Sequence, residues 1–320
     1  MDAFPIVDIS RPNRSCASHV DSICQDTGFL AVTGHGVSKA LIQETWETTR
    51  AFFDLPLGDK LSVAMPFAGY PYGYSPMEGE TLAQSLGEPT PPDLKETLSI
   101  GPQRTWSGGA WDPVKGFISA PTLWPANPPS LRPIWQRYFR EMGALAGRLL
   151  SLFALALDLP SDYFDTSIDA HASALRALNY PALEQPLLPG QLRAGAHTDY
   201  GSVTILLTEQ DSLGLQIRGP EGTWQAVPSI PGAFVVNIGD LMARWVNDRW
   251  VSTLHRVVAD PETSNRRRQS IAFFHMPNWD ARITCIPTCL APDATPKYGP
   301  VEAGAHLMEK FRSTVRLTDS

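Results

Sequence analysis

Apolar residues return every three or four positions from Ser130 to Leu157: Leu131, Ile134, Trp135, Tyr138, Met142, Leu145, Leu149, Leu152, Phe153, Ala156 and Leu157. That spacing places them on one stripe of a helix, and Leu159-Pro160 ends it. A long scaffold helix is predicted here. The same period over residues 38–53 sets Leu41, Ile42, Thr45, Trp46, Thr49, Phe52 and Phe53 on one face, with Ser38 as N-cap. A further helix is predicted over residues 15–27, ended by Gly28. Phe4-Pro5-Ile6-Val7-Asp8-Ile9 reads as an edge strand, since proline suits an edge. Residues 28–37 read as a strand closed by Gly34-His35-Gly36, where His35 is a turn residue with local hydrogen bonds. From about Ser173 the helical period gives way to short apolar runs broken by turns. Strands are predicted over 173–180, 203–207, 214–217, 223–227, 233–238, 254–258 and 269–275, with one short helix at about 240–247. Many short strands with turn punctuation indicate a sandwich or barrel of the jelly-roll type.

Residues 54–129 follow neither period and are rich in Pro and Gly. The run Gly69-Tyr70-Pro71-Tyr72-Gly73-Tyr74-Ser75-Pro76 excludes a regular helix or a central strand. So long an irregular stretch in a compact fold is functional or disordered. Its tyrosines, with Trp106, Trp111 and Trp124, favour an ordered covering over a pocket. The chain divides into residues 1–129, a helical and loop region covering the barrel, and residues 130–320, the scaffold helix and catalytic core with a C-terminal helix. The two are expected to form one compact unit.

Composition narrows the function. A chain of 320 residues buries about 75% of its unfolded surface, so it needs no disulfide or metal merely to fold. The net charge of −7 argues against a nucleic-acid or anionic-membrane partner. Met1-Asp2-Ala3-Phe4-Pro5 shows no secretory signal. No uncharged apolar run reaches the ~18 residues of a membrane span, so a cytoplasmic protein is expected. Its four cysteines, Cys16, Cys24, Cys285 and Cys289, are then free thiols by default. Cys285 and Cys289 have the spacing of half a zinc site, but no second pair accompanies them.

The candidate chemistry centres on Ala196-His197-Thr198-Asp199-Tyr200-Gly201, which reads as a turn feeding the strand that starts near Val203. On an extended strand, His197 and Asp199 would point to one face. An imidazole and a carboxylate aimed at one point are two-thirds of a facial triad for non-haem Fe(II). His255, on a later strand, is the candidate third ligand. His19 lies in a helix, His171 in a polar loop and His306 on a C-terminal helical stretch, while His275 has the wrong parity on its strand. Arg268 and Ser270 share one strand face thirteen residues after His255. An inward arginine needs an anion, and its guanidinium fork matches a carboxylate. A triad with open positions beside a carboxylate anchor suits a chelating 2-oxoacid and O2. Decarboxylation of the 2-oxoacid to succinate and CO2 would then drive oxidation of a nearby C–H bond.

Here the chain resembles the isopenicillin N synthase-like class of Fe(II)/2-oxoglutarate-dependent dioxygenases. The resemblance covers nearly the whole chain, through Phe4-Pro5-Ile6-Val7-Asp8, Gly28-Phe29 to Gly34-His35-Gly36, Asp93-Leu94-Lys95-Glu96, Asn179-Tyr180-Pro181, His197-Thr198-Asp199, Asn237-Ile238-Gly239-Asp240, Ser252-Thr253-Leu254-His255-Arg256-Val257 and Arg268-Gln269-Ser270. It implies a mixed α/β, mainly β fold: a double-stranded β-helix (jelly-roll) core with an N-terminal helical lobe and a long scaffold helix. It implies Fe(II) on His197, Asp199 and His255, and 2-oxoglutarate held by Arg268 and Ser270 with the Tyr180 hydroxyl. Plant-type members commonly carry Asn two residues before that tyrosine; here Leu178 stands there. Arg176, at even spacing from Tyr180, either reaches the pocket to bind an anionic substrate group or forms a surface ion pair. Further pocket-lining candidates are Phe29, Tyr72, Trp245 and Phe274.

The expected function is oxidation of a small molecule by hydroxylation, desaturation or ring formation in secondary metabolism. The expected state is a monomer, with a dimer as the alternative. A competing reading is an oxidase of the isopenicillin N synthase type that uses no 2-oxoacid. A non-catalytic jelly-roll binding protein would have no use for three convergent ligands, and a zinc hydrolase no use for the Arg-x-Ser anchor.

Overall fold

The structure is a computed structural model that describes residues 4–67, 69–83, 90–102, 116–183, 187–260 and 264–314. The first part of the chain forms β1 (Ile6–Asp8), α1 (Arg14–Asp26), β2 (Phe29–Thr33), α2 (Lys39–Phe53), α3 (Leu57–Leu61), β3 (Gly73–Ser75) and β4 (Glu96–Ile100). Then follow the scaffold helix α4 (Leu131–Ala156), α5 (Asp165–Ile168), β5 (Ala174–Tyr180), β6 (Ala194–His197), β7 (Val203–Thr208), β8 (Leu215–Arg218), β9 (Trp224–Ala226) and β10 (Phe234–Ile238). The chain ends with α6 (Asp240–Trp245), β11 (His255–Val257), β12 (Arg268–His275), β13 (Arg282–Ile283), β14 (Val301–Glu302) and α7 (Ala303–Thr314).

Two sheets face each other as a jelly roll. The larger runs β1-β2-β10-β7-β12-β5-β4-β3 and the smaller β6-β11-β8-β9. All pairs in them are antiparallel except β1 with β2, which α1 joins as a crossover. Between the sheets, Phe29, Ala194, Leu215, Ile217, Val227, Val235 and Val257 form a small core. The outer face of the large sheet is covered by α1, α2 and α4, and the main core lies there. On α4, the predicted stripe is the buried one, and Trp135 in its second turn donates from Nε1 to Thr49 Oγ1 on α2 at 3.1 Å. Strand β10 is buried on both faces and reads as a nearly continuous apolar run, as does the Ile271-Ala272-Phe273-Phe274 part of β12. Arg268 opposes Tyr180 in the β12–β5 ladder, and Ser270 opposes Leu178.

The structure adds strands where none was expected. β3 and β4 arise within residues 54–129, so that stretch contributes to the large sheet as well as covering the pocket. Glu96-Thr97-Leu98-Ser99-Ile100 does not look like a buried strand because Glu96 and Ser99 find their partners inside the fold: Lys60 Nζ donates to Glu96 Oε2 at 2.8 Å and Arg176 Nε to Ser99 Oγ at 2.8 Å. β6, Ala-Gly-Ala-His, lacks the β-branched residues that mark strands. Tyr70, Tyr72 and Tyr74 are buried, as an ordered covering requires; Trp106 and Trp111 lie outside the described residues. His35 is a turn residue: its Nδ1 accepts from Val37 N, and its Nε2 lies 3.0 Å from Gly232 O. All four cysteines are free. No described helix is long and apolar enough to cross a membrane.

Candidate functional site

His197 ends β6 and His255 begins β11, and the two face each other directly in the small sheet. Their rings lie 4.3 Å apart. Asp199 Oδ1 lies 3.9 Å from His197 Nε2 and 3.8 Å from His255 Nε2. One donor atom from each of the three lies within 4.8 Å of the others, and this is the one such His/Cys/Asp/Glu group among the described residues. The convergence does not come from a single strand, as the sequence suggested. The chain leaves β6 at His197 and crosses to β7 in the other sheet, carrying Asp199 on the connecting turn. That turn is held from below. Asp240 N donates to Asp199 O at 2.7 Å, and a Cβ at Gly239 would lie 2.2 Å from Gly201 O, so only glycine allows this approach.

Each donor atom is oriented by a partner on its other side. His197 Nδ1 lies 2.8 Å from Gly195 O, and His255 Nδ1 lies 3.0 Å from Thr253 O. A carbonyl can only accept, so both Nδ1 atoms carry the proton and both Nε2 lone pairs face inward. Asn237 Nδ2 donates to Asp199 Oδ2 at 2.7 Å, which leaves Oδ1 facing inward. Burial, reinforced by the neighbouring His255, pushes the His197 pKa down to about 3, so its imidazole stays neutral. Burial opposes the Asp199 carboxylate, but His255, His197 and hydrogen bonds from Asn237 and Thr204 outweigh it and lower the pKa. Two imidazoles and one carboxylate, pinned on one side and open on the other, fit a divalent transition metal.

Arg268 is 5% exposed. Its guanidinium lies 4.9 Å over the Tyr180 ring, and its Nε donates to Leu213 O at 3.2 Å. Nη1 is buried with no hydrogen-bond partner among the described residues. Burial pushes the Arg268 pKa down. A buried, incompletely bonded guanidinium beside a hydroxyl at Ser270 is a fit for a carboxylate. The opposite face of these strands carries a row of polar side chains. Gln269 Nε2 donates to Asn179 Oδ1 at 2.7 Å, and Asn179 Nδ2 donates to Glu96 Oε1 at 2.7 Å. Each member is the sequence neighbour of a cavity residue: Arg268, Tyr180 and Lys95.

Both clusters open onto one cavity of about 500 Å3 between the sheets. Phe29 lines it, edge-on to His255 with ring centroids 5.3 Å apart. Phe274 and Leu178 line it from the large sheet. Tyr72 closes another side, its ring lying where a Cβ on Gly101 would be 1.9 Å away. Trp245 is corrected: it is buried in the main core, 4.9 Å from the Phe164 ring, and is not among the cavity-lining residues. It lies on the face of α6 that packs into apolar neighbours, where a large aromatic is worth most.

Arg176 reaches the cavity but is not a free cation. Its Nη1 contacts Glu80 Oε1 and Oε2 at 3.1 and 3.3 Å, and its Nε donates to Ser99 Oγ at 2.8 Å. Lys95 Nζ contacts Asp93 Oδ2 at 2.6 Å and Glu80 Oε2 at 3.4 Å. Burial works against the Glu80 carboxylate, but Arg176 and Lys95 hold its pKa down to about 2. Glu80, Lys95 and the α7 residues Leu307 and Phe311 were missed from the sequence. The one available signal was the alternation in Asp93-Leu94-Lys95-Glu96, which sends Asp93 and Lys95 to the same side.

Comparison with known proteins agrees with this geometry. Residues 4–127 match the family model described as non-haem dioxygenase in morphine synthesis N-terminal, and residues 171–277 match the 2OG-Fe(II) oxygenase superfamily. A 2-oxoglutarate-Fe(II) type oxidoreductase, hxnY, of Emericella nidulans is 35% identical over 317 residues, covering 93% of this chain and 86% of the relative. A homoarginine-6-hydroxylase of Arabidopsis thaliana is 32% identical over 307 residues, covering 90% and 88%. A full-length Neurospora crassa protein solved in complex with alpha-KG superimposes with a TM-score of 0.85 at 30% identity, over 97% of this chain and 96% of that one. It has also been solved with alpha-KG and thymine.

Proposed function

The chain belongs to the 2OG-Fe(II) oxygenase superfamily, and on that premise we propose how its residues divide the work. It is an Fe(II)/2-oxoglutarate-dependent dioxygenase that oxidises a C–H bond of a small molecule. In the proposed assignment His197, Asp199 and His255 hold the iron, and Arg268, Ser270 and Tyr180 hold the far carboxylate of 2-oxoglutarate. With 2-oxoglutarate and O2, the bound iron supplies the oxidising power, and the cosubstrate leaves as succinate and CO2.

The protein's part is orientation and exclusion of water. Gly195 O and Thr253 O keep the Nε2 atoms of both histidines turned to one point, and Asn237 does the same for Asp199 Oδ1. Arg268 is fixed by Leu213 O and by the Tyr180 ring, so its open Nη1 keeps one direction. A preoriented fork loses little entropy when a carboxylate arrives. Phe29, Leu178, Tyr72 and Phe274 keep the cavity apolar around the substrate. The relatives named above act on or bind homoarginine and thymine, small nitrogen-rich molecules, which supports a polar metabolite as substrate. Secondary metabolism is the proposed setting.

The observation that carries this reading is the pairing, on one cavity, of three convergent donors within 4.8 Å with a buried guanidinium lacking a partner on Nη1. The test is anaerobic. Fe(II) and then 2-oxoglutarate are added to metal-free protein, and the weak visible charge-transfer band of a chelated 2-oxoacid is followed. A band that saturates with 2-oxoglutarate is the expected result. Iron uptake without a band would reassign Arg268 to the primary substrate and favour an oxidase.

A further inference from the structure

Beside β4 and β5, and tied to β6 where Asp93 Oδ1 accepts from Gly195 N at 2.9 Å, the cavity has a second polar corner apart from the three donors and Arg268. It contains two cations, Lys95 and Arg176, and two carboxylates, Glu80 and Asp93, joined by the contacts of 2.6 to 3.4 Å described above. Its formal charges cancel. No charge is left to neutralise an ionic ligand. An anion beside Arg176 would meet the charge of Glu80, and a cation beside Glu80 would meet Arg176 and Lys95, so neither gains a net Coulombic attraction to offset its desolvation.

Two hydrogen-bonding positions in the corner are not used internally. Arg176 donates from Nε and Nη1, and its Nη2 has no bond among the described residues. Glu80 accepts Arg176 on both oxygens and Lys95 on one. A carboxylate has about four acceptor positions, so one remains. A donor and an acceptor on bonded side chains, both lining the cavity, match an acceptor and a donor side by side on a ligand. The walls that flank them, Tyr72 and Phe274, suit a flat ring.

We propose that the Glu80–Arg176 corner recognises an uncharged substrate with a cis-amide edge, as in a lactam, imide or ureide. Glu80 accepts from the ligand N–H and Arg176 Nη2 donates to its C=O. Lys95 and Asp93 keep Glu80 in place and the corner neutral. Glu80 remains ionised throughout the physiological range, because Arg176 and Lys95 hold its pKa down to about 2. It therefore stays an acceptor. The assignment rests on the reading of this cavity as the active site of the oxygenase.

The experiment uses the full chain loaded with Mn(II) and 2-oxoglutarate, with binding followed by calorimetry. Uptake of both is measured first; if the protein takes up neither, the proposed function fails and this assignment with it. Three neutral cis-amides, hydantoin, uracil and 2-piperidone, are then compared with orotate, an anion, and arginine, which carries a guanidinium and a zwitterion. At least one neutral probe is expected to bind roughly tenfold or more tightly than orotate and arginine. Glu80→Ala should weaken it by roughly tenfold or more, the loss of one hydrogen bond to a charged group. Glu80→Gln keeps the shape and an acceptor, and a smaller loss of about threefold is expected if the alanine variant does not fold. Mn(II) and 2-oxoglutarate affinities should stay within about twofold, since Glu80 bonds to none of the residues assigned to hold them. Tighter binding of orotate or arginine, no binding by any neutral probe, or neutral binding indifferent to both Glu80 variants would each overturn the assignment.

Discussion

The two ends of the cavity are held in place by different means. At the triad end the two histidines are anchored on main chain, Gly195 O for His197 and Thr253 O for His255, as is the buried Arg193 beside Arg268 on the carbonyls of Pro181, Ser264 and Arg266, while Asp199 takes a side-chain bond from Asn237. At the polar corner Glu80, Lys95, Arg176 and Ser99 are joined through side-chain contacts, and among the described residues of the corner only Asp93 is also held by main chain, the N–H groups of Gly195 and Leu82. A carbonyl in a strand stays put when a neighbouring side chain changes. A side chain held by other side chains does not. The triad end therefore tolerates change around it, whereas the corner is a mutually dependent set that can be rebuilt as a unit. That is a physical route by which one oxidising centre serves many substrates.

The largest effect should come from His255→Ala. Its ring meets His197, Phe29 and Asp199 at the cavity wall and its one hydrogen bond among the described residues is to Thr253 O, so the fold should persist while metal uptake and turnover fall to background. Metal content with circular dichroism checks this, and near-normal turnover would remove His255 from the centre. Next is Arg268→Ala. Removing one member of a desolvated charge pair costs roughly 2–5 kcal/mol, so the 2-oxoglutarate KM should rise at least about 30-fold. Metal affinity should be unchanged.

The corner should fail cooperatively. The Glu80 pKa is lowered from 4.5 to about 2 in the folded chain. The stability this supplies is present above the unfolded value and lost as pH falls from about 4.5 to 2. A denaturant series at pH 6 and pH 3 should show a fall of about 1–3 kcal/mol that is smaller in Glu80→Gln. A double-mutant cycle of Glu80→Gln with Arg176→Leu should give a coupling of roughly 0.5–3 kcal/mol. Additivity would mean that the corner is no unit.

A smaller effect is expected behind the cosubstrate end. Gln269→Leu breaks the Gln269–Asn179–Glu96 row while keeping the volume. The 2-oxoglutarate KM should rise about threefold to tenfold through the loosened Arg268, with iron affinity unchanged. The smallest belongs to Trp245→Phe, a core change costing about 1–3 kcal/mol of stability, with kcat and KM within about twofold.

The same contrast decides what was legible in the sequence. His255, Arg268, Ser270 and Tyr180 could be picked out because they sit in short strand runs with fixed parity, whereas His197 and Asp199 were found by their two-residue spacing although Asp199 lies on the turn after β6. The stripe on α4 was legible for the same reason, a strong period. Glu80 was not, because nothing local says where an irregular loop lies relative to a strand nearly a hundred residues later. β4 was hidden because its buried polar residues are paired with groups as distant as Lys60. Trp245 was misplaced because an aromatic near a site looks the same in sequence whether it faces a cavity or a core.

Strand β12 has no idle face. Arg268, Ser270, Ala272 and Phe274 face the cavity, while Ile271 and Phe273 enter the main core and Gln269 joins the polar row behind. A slip of one residue would exchange every one of these. It would drive a guanidinium into the helix layer and put an amide in the place of Arg268 at the proposed cosubstrate site. For this strand, folding fidelity and catalytic competence are the same property. A purified sample can hold no appreciable fraction of well-folded but dead molecules through a β12 slip, so an active-site titration also counts correctly folded chains. The same coupling makes single-residue insertions in β12 lethal to folding before they reach selection on activity.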